Sequence, residues 1–125
     1  MSGFYQDMRT FVLQHGAVNN SYLTWFREGS ATHEEFCDFA IEFYNFARFF
    51  PKILVAQLVN TEDESVAEEL TRVLYSELGD GTPENRHELL YRQFLRSLNI
   101  DIHQALQRPM MPSTQAYISG MEALY

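Results

Sequence analysis

Gly79, Asp80 and Gly81 separate two segments of helical period, and this turn limits the chain more than any other feature. Two glycines around an aspartate supply the left-handed backbone that stops a helix, and Thr82-Pro83 then restarts one, with proline in the first turn where its missing amide costs nothing. On one side Val66, Leu70, Val73 and Leu74 recur at steps of three and four. On the other side Leu90, Phe94 and Leu98 do the same, with Leu95 beside them. Helices joined by so short a turn pack antiparallel.

The rest of the chain repeats this punctuation. From Gly3 to Glu28 the spacing of Phe4, Met8, Phe11, Val12, Tyr22, Trp25 and Phe26 predicts one bent helix or two short ones, interrupted near Gly16 and Asn19-Asn20. Gly29 ends that segment. Thr32 with Glu35 reads as a capping box opening a second helix, whose stripe is Phe36, Ala40, Phe43, Ala47, Phe50 and Leu54. Glu35, Asp38, Glu42 and Asn45 fall on its opposite, solvated side, and Pro51 should kink it. Thr61 and Glu64 repeat the capping signature for a third helix ending near Leu78, and a fourth runs from Thr82-Pro83 to about Leu98, where Asn99 can cap it. A short turn follows from Asp101 to Gln107, and Pro109 and Pro112 precede a last helix opened by Ser113. Strand-like alternation and repeats do not interrupt the pattern. The expected fold is all-α, an up-and-down helical bundle forming one domain over residues 1–125.

Composition narrows the partners. The net charge is −8, from nine Lys and Arg against seventeen Asp and Glu, and the basic residues form no cluster of the kind that phosphate backbones or anionic lipids require. Nucleic acid and membranes are therefore not expected partners. No basic segment followed by an apolar run marks the amino terminus, and the apolar stretch from Phe46 to Val59 is too short and too charged to span a bilayer, which points to a cytoplasmic protein. Cys37 is the single cysteine, so neither an internal disulfide nor a thiolate metal cage can form. Ten Phe and seven Tyr predict an aromatic-rich core.

Against this background two residues are out of place. Steps of four from Val73 and seven from Leu70 land on Glu77, and counting back three from Leu90 and seven from Phe94 gives His87. A carboxylate and an imidazole thus sit on apolar faces either side of the glycine turn. Burying an unpaired carboxylate costs several kcal/mol, so Glu77 needs a cation, a metal or hydrogen-bond donors. A structural pair with His87 meets that need, and so does a metal, since facing helices of carboxylate-bridged metal bundles offer this donor combination. Spacing leaves both readings open.

The run Glu77 to His87 (Glu-Leu-Gly-Asp-Gly-Thr-Pro-Glu-Asn-Arg-His), continued by Glu-Leu-Leu-Tyr-Arg-Gln-Phe-Leu to Leu95, resembles the haem-oxygenase-like di-iron oxidases, also described as iron-containing redox enzymes and related in fold to the thiaminase-II and pyrroloquinoline-quinone synthase groups. The aromatic run Phe43 to Pro51 and the segment Pro112 to Tyr117 resemble the family too. The resemblance implies that Glu77 and His87 are ligands of a site for two iron ions, which activates dioxygen to oxidise a small molecule such as an amino acid or a fatty acid. Family members are longer, and their second half supplies a further carboxylate and a late His-x-x-x-Asp-x-x-His helix. Here the only histidine after His87 is His103, with no Asp four residues on. The expectation is an N-terminal half of the bundle, completed by a missing C-terminal half or by a homodimer; a remnant that no longer binds metal is the third option.

Tyr44, Tyr75 and Tyr91 fall near the proposed face as candidate linings of a substrate pocket. His33 reads as surface, and His15, one turn after Phe11, as a residue near the same cavity. The competing function is a metal-free helical protein that binds a ligand or partner helices through an aromatic cavity and self-associates.

Overall fold

The computed structural model describes residues 2–124, and among them the chain forms eight α-helices. The chain divides into two units, Met1–Phe36 and Cys37–Tyr125.

In the first unit the interruption near Asn19-Asn20 separates two helices, α1 (Ser2–Gln14) and α2 (Ser21–Arg27). The Asn20 side chain caps α2 by accepting the Leu23 amide at 2.8 Å. Gly29 follows with φ of 71°, and the expected capping box opens α3 (His33–Ala47): Glu35 accepts the Thr32 amide at 2.8 Å while the Thr32 hydroxyl accepts the Glu35 amide at 3.2 Å. Tyr22, Trp25, Phe26 and Phe36 bring their rings together, yet among the described residues of this unit none is buried.

The second unit holds the core. Ala40 and Tyr44 of α3 meet Leu95 of α6 (His87–Ser97) and Ile102 of α7 (Ile102–Gln107), with Tyr91, Leu98, Ile100 and Leu106 packed around them. Helix α4 (Phe50–Asn60) buries Ile53 and Leu54 and packs against α5 (Glu64–Glu77) and α8 (Pro112–Ala123). Two polar contacts tie the later chain back to α3: Arg108 donates to Asp38 at 2.8 Å, and the Met111 amide to Glu42 at 3.2 Å.

Several sequence expectations need correction. Pro51 does not kink a continuous helix but starts α4, because α3 has already stopped at Ala47 and proline without an amide suits a first turn. The third helix is capped by Asp63, whose carboxylate accepts the Ser65 and Val66 amides, while Thr61 closes α4 in extended conformation. The fourth helix is preceded by a separate 3-10 turn, Pro83–Asn85. Asn45 is buried rather than solvated, since α3 turns its Ala40, Ile41 and Tyr44 edge inward, and Asn45 follows Ile41 by one turn. Finally, the core is aliphatic around a single buried aromatic, Tyr44, and the phenylalanines collect elsewhere. Among the described residues there is no strand, and the fold is all-α.

Candidate functional site: a carboxylate and an imidazole at an aromatic cleft

The glycine turn sets the geometry. Gly79, Asp80 and Gly81 have φ of 97°, 51° and 81°, a run of left-handed residues that reverses the chain after α5. Helix α5 closes with the Gly79 amide donating to the Ser76 carbonyl at 2.9 Å and the Asp80 amide to the Tyr75 carbonyl at 3.0 Å. Gly79 is buried against the returning backbone: a Cβ there would fall 2.9 Å from the Arg86 nitrogen and overlap the Thr82 carbonyl. This close approach carries Arg86 and His87 back beside the end of α5.

There Glu77 and His87 meet. Glu77 Oε1 lies 3.1 Å from His87 Nδ1, with the glutamate side chain 16% exposed and the imidazole 51% exposed. The two share one site, although His87 is half open to solvent rather than on a fully buried face. They stand at one side of a cleft of about 450 Å³, which Glu88 also lines. Its walls are Phe43, Phe46, Ala47, Phe50, Leu90, Tyr91 and Phe94. Here the phenylalanines missing from the core are found. Tyr91 stacks on Phe43 with centroids 5.2 Å apart and meets Phe94 edge-on at 5.6 Å. No Lys or Arg belongs to the lining.

A polar cluster adjoins the cleft, reaching its lining only through Glu88. The Tyr44 hydroxyl donates to Glu88 Oε1 at 2.6 Å, and Arg92 Nε donates to the same oxygen at 2.5 Å and to the Tyr44 oxygen at 3.1 Å. Burial pushes the Glu88 carboxyl upward, but the Tyr44 hydroxyl and the Arg92 guanidinium outweigh it and hold the group below its ordinary value. Tyr44 is raised, first by burial and then by Glu88. Burial alone raises Tyr91.

Of the tyrosines expected to line a pocket, Tyr91 is on the cleft wall. Tyr44 lies behind it, ring to ring at 6.1 Å, with its hydroxyl turned to Glu88. Tyr75 is half exposed at the glycine turn, its hydroxyl 2.7 Å from where a Cβ on Gly81 would stand. His15 and His33 belong to the first unit and are exposed. Sequence reasoning missed Glu88 and Arg92 as site residues. Their i, i+4 spacing signals a helix pair, but the contribution of Tyr44, more than forty residues earlier, leaves no local signal.

Among the described residues no group of three or more His, Cys, Asp or Glu gathers as a metal site. Glu77 and His87 are nevertheless of the donor types that iron accepts. Donors about 2.1 Å from a metal stand roughly 3 Å apart at neighbouring corners of an octahedron, and the observed separation matches. The pair accounts for two positions only.

An all-α fold with a carboxylate and an imidazole at the edge of an aromatic cleft is consistent with a haem-oxygenase-like helical protein. The model of the iron-containing redox enzymes matches residues 37–125, and the chain belongs to that family. The matched segment begins where the second unit begins. Membership in a family of iron-containing redox enzymes supports an oxidoreductase activity in general terms. No curated protein and no solved structure gave a match. Among the described residues no helix is long and apolar enough to cross a membrane.

Proposed function

We propose that this chain carries part of a non-haem di-iron site that uses dioxygen to oxidise a small molecule, with Glu77 and His87 as iron ligands. The observation that carries this reading is the 3.1 Å approach of the two side chains beside an apolar cleft, in a member of an iron-containing family. Bound iron supplies the dioxygen chemistry. The chain supplies the rest. Glu77, on the last turn of α5, and His87, on the first turn of α6, present oxygen and nitrogen donors across one turn. The Phe43, Phe50, Tyr91 and Phe94 walls offer an apolar surface to receive the body of a substrate such as an amino acid or a fatty acid. Glu88 is committed to Tyr44 and Arg92 through Oε1 and is not counted as a ligand. A stable two-iron site needs more donors than this pair. We place them in a second half of the bundle, supplied by further residues of the protein or by a second copy of the chain.

Anaerobic titration with ferrous iron tests the proposal. Binding that is lost in both Glu77→Ala and His87→Ala, with an absorption band developing on exposure to air, is the expected result. Iron stoichiometry and affinity unchanged by both substitutions would remove Glu77 and His87 from the site. A second reading, a metal-free protein that binds a ligand or a helix in the same cleft, is favoured by the fact that 3.1 Å is also a hydrogen-bond distance. It requires purified protein without iron and a self-associated species in sedimentation.

A further inference from the structure

We infer that Tyr44, Glu88 and Arg92 form a clamp that positions the His87 imidazole against Glu77. The inference rests on the reading of Glu77 and His87 as metal ligands. The two residues are held differently. Glu77 ends a helix of fourteen residues, whereas His87 is the first residue of α6, after a 3-10 turn and an Arg86 that makes no side-chain capping bond. The glycine turn sets the path of the Arg86 backbone, but no side chain caps the start of α6. The imidazole is half exposed, so packing does not fix it either. What ties this first turn of α6 to the core as well is its next residue. Glu88 receives the Tyr44 hydroxyl from α3 and the Arg92 guanidinium from one turn further along α6, both on Oε1. Tyr44 is 1% exposed and belongs to the core cluster with Ala40, Leu95 and Ile102, so it cannot follow a drifting helix end. Arg92 also reaches the Tyr44 oxygen, closing a triangle of three bonds. The first turn of α6 is thereby pinned to the core of α3, and His87 with it. Groups that orient metal ligands from behind typically change metal affinity by about 10–100-fold when removed. None of the three need touch the metal.

The test uses the full chain and cobaltous ion as the probe. Tyr44→Phe removes one hydroxyl, and Glu88→Gln keeps the shape and an acceptor oxygen while removing the charge. Each is expected to weaken cobalt binding about tenfold, the lower end of the range for such partners. Ile53→Val, in the core of α4 away from the clamp, lowers stability and should leave affinity unchanged. In metal-free protein, the nitrogen-15 resonances of the His87 ring should shift in Tyr44→Phe in the same direction as in Glu77→Gln. The clamp is overturned if Tyr44→Phe and Glu88→Gln leave both cobalt affinity and ring resonances as in the unmutated protein, or if Ile53→Val weakens cobalt binding equally. If the unmutated protein binds no cobalt, the metal reading fails by itself and the ring resonances alone decide the clamp.

Discussion

The two units use similar residues to different effect. In Met1–Phe36, Phe4, Phe11 and Tyr22 recur at helical spacing, yet they are 70%, 61% and 50% exposed. In Cys37–Tyr125, Tyr44 and Leu95 are almost wholly removed from water, and the family match covers this unit alone. Helical periodicity is present in both. Burial depends on a facing element at the right distance, which α3, α6 and α7 provide for one another in the second unit. The aromatic residues of the second unit divide again: Tyr44 packs inside, while Phe43 and Phe94 stand at the cleft.

This contrast can be broken by substitution. The largest effect is expected for Leu95→Ala, which empties a fully buried position and should cost about 2–5 kcal/mol of unfolding free energy in a urea titration. Next comes Gly79→Ala. A left-handed alanine costs roughly 1–3 kcal/mol before the overlap with the 82–86 backbone is added, so the loss should exceed that of Gly29→Ala in the first unit, where a Cβ meets open space. Both are read from denaturant midpoints.

The pH dependence of the second unit should be smaller and should trace to the clamp. Glu88 has a lowered pKa in the folded state, so its stabilisation is present above the unfolded value near 4.5 and is lost as pH falls through the lower folded value. Tyr44 is raised, so the hydroxyl contributes below its unfolded value near 10.0 and the contribution is lost as pH climbs through the folded value. Thermal midpoints across pH should therefore decline at both ends, and Glu88→Gln should flatten the acid limb. An acid limb unchanged by that substitution would assign it to other carboxylates. The smallest effect is expected for Phe11→Ala in the first unit, within about 0.5 kcal/mol of the unmutated protein, because its ring is already in water. A loss as large as that of Leu95→Ala would show that α1 is buried in solution and erase the contrast.

Particular residues show what was legible without coordinates. The Thr32 and Glu35 box, the left-handed turn at 79–81 and the Asn99 stop, with φ of 60°, are local devices in which side chain and backbone decide within a few residues. The proximity of Glu77 and His87 was legible for the same reason, because one tight turn separates them. The direction in which α3 faces was not. Choosing the Ala40, Ile41 and Tyr44 edge over Phe43 and Ala47 depends on what lies opposite, and several edges of an aromatic-rich helix are apolar enough to serve.

By itself, then, the sequence determined that the chain is helical, where most of its helices start and stop, and that a carboxylate and an imidazole meet at the glycine turn, because these follow from hydrogen bonds and dihedral preferences over short range. Only the tertiary structure decided that Tyr44 reaches Glu88 and Arg92, that the phenylalanines wall a cleft instead of filling the core, and that His87 is half open to water. Those facts depend on contacts between residues far apart in the chain, and which side chains meet there is set by helix packing rather than by spacing.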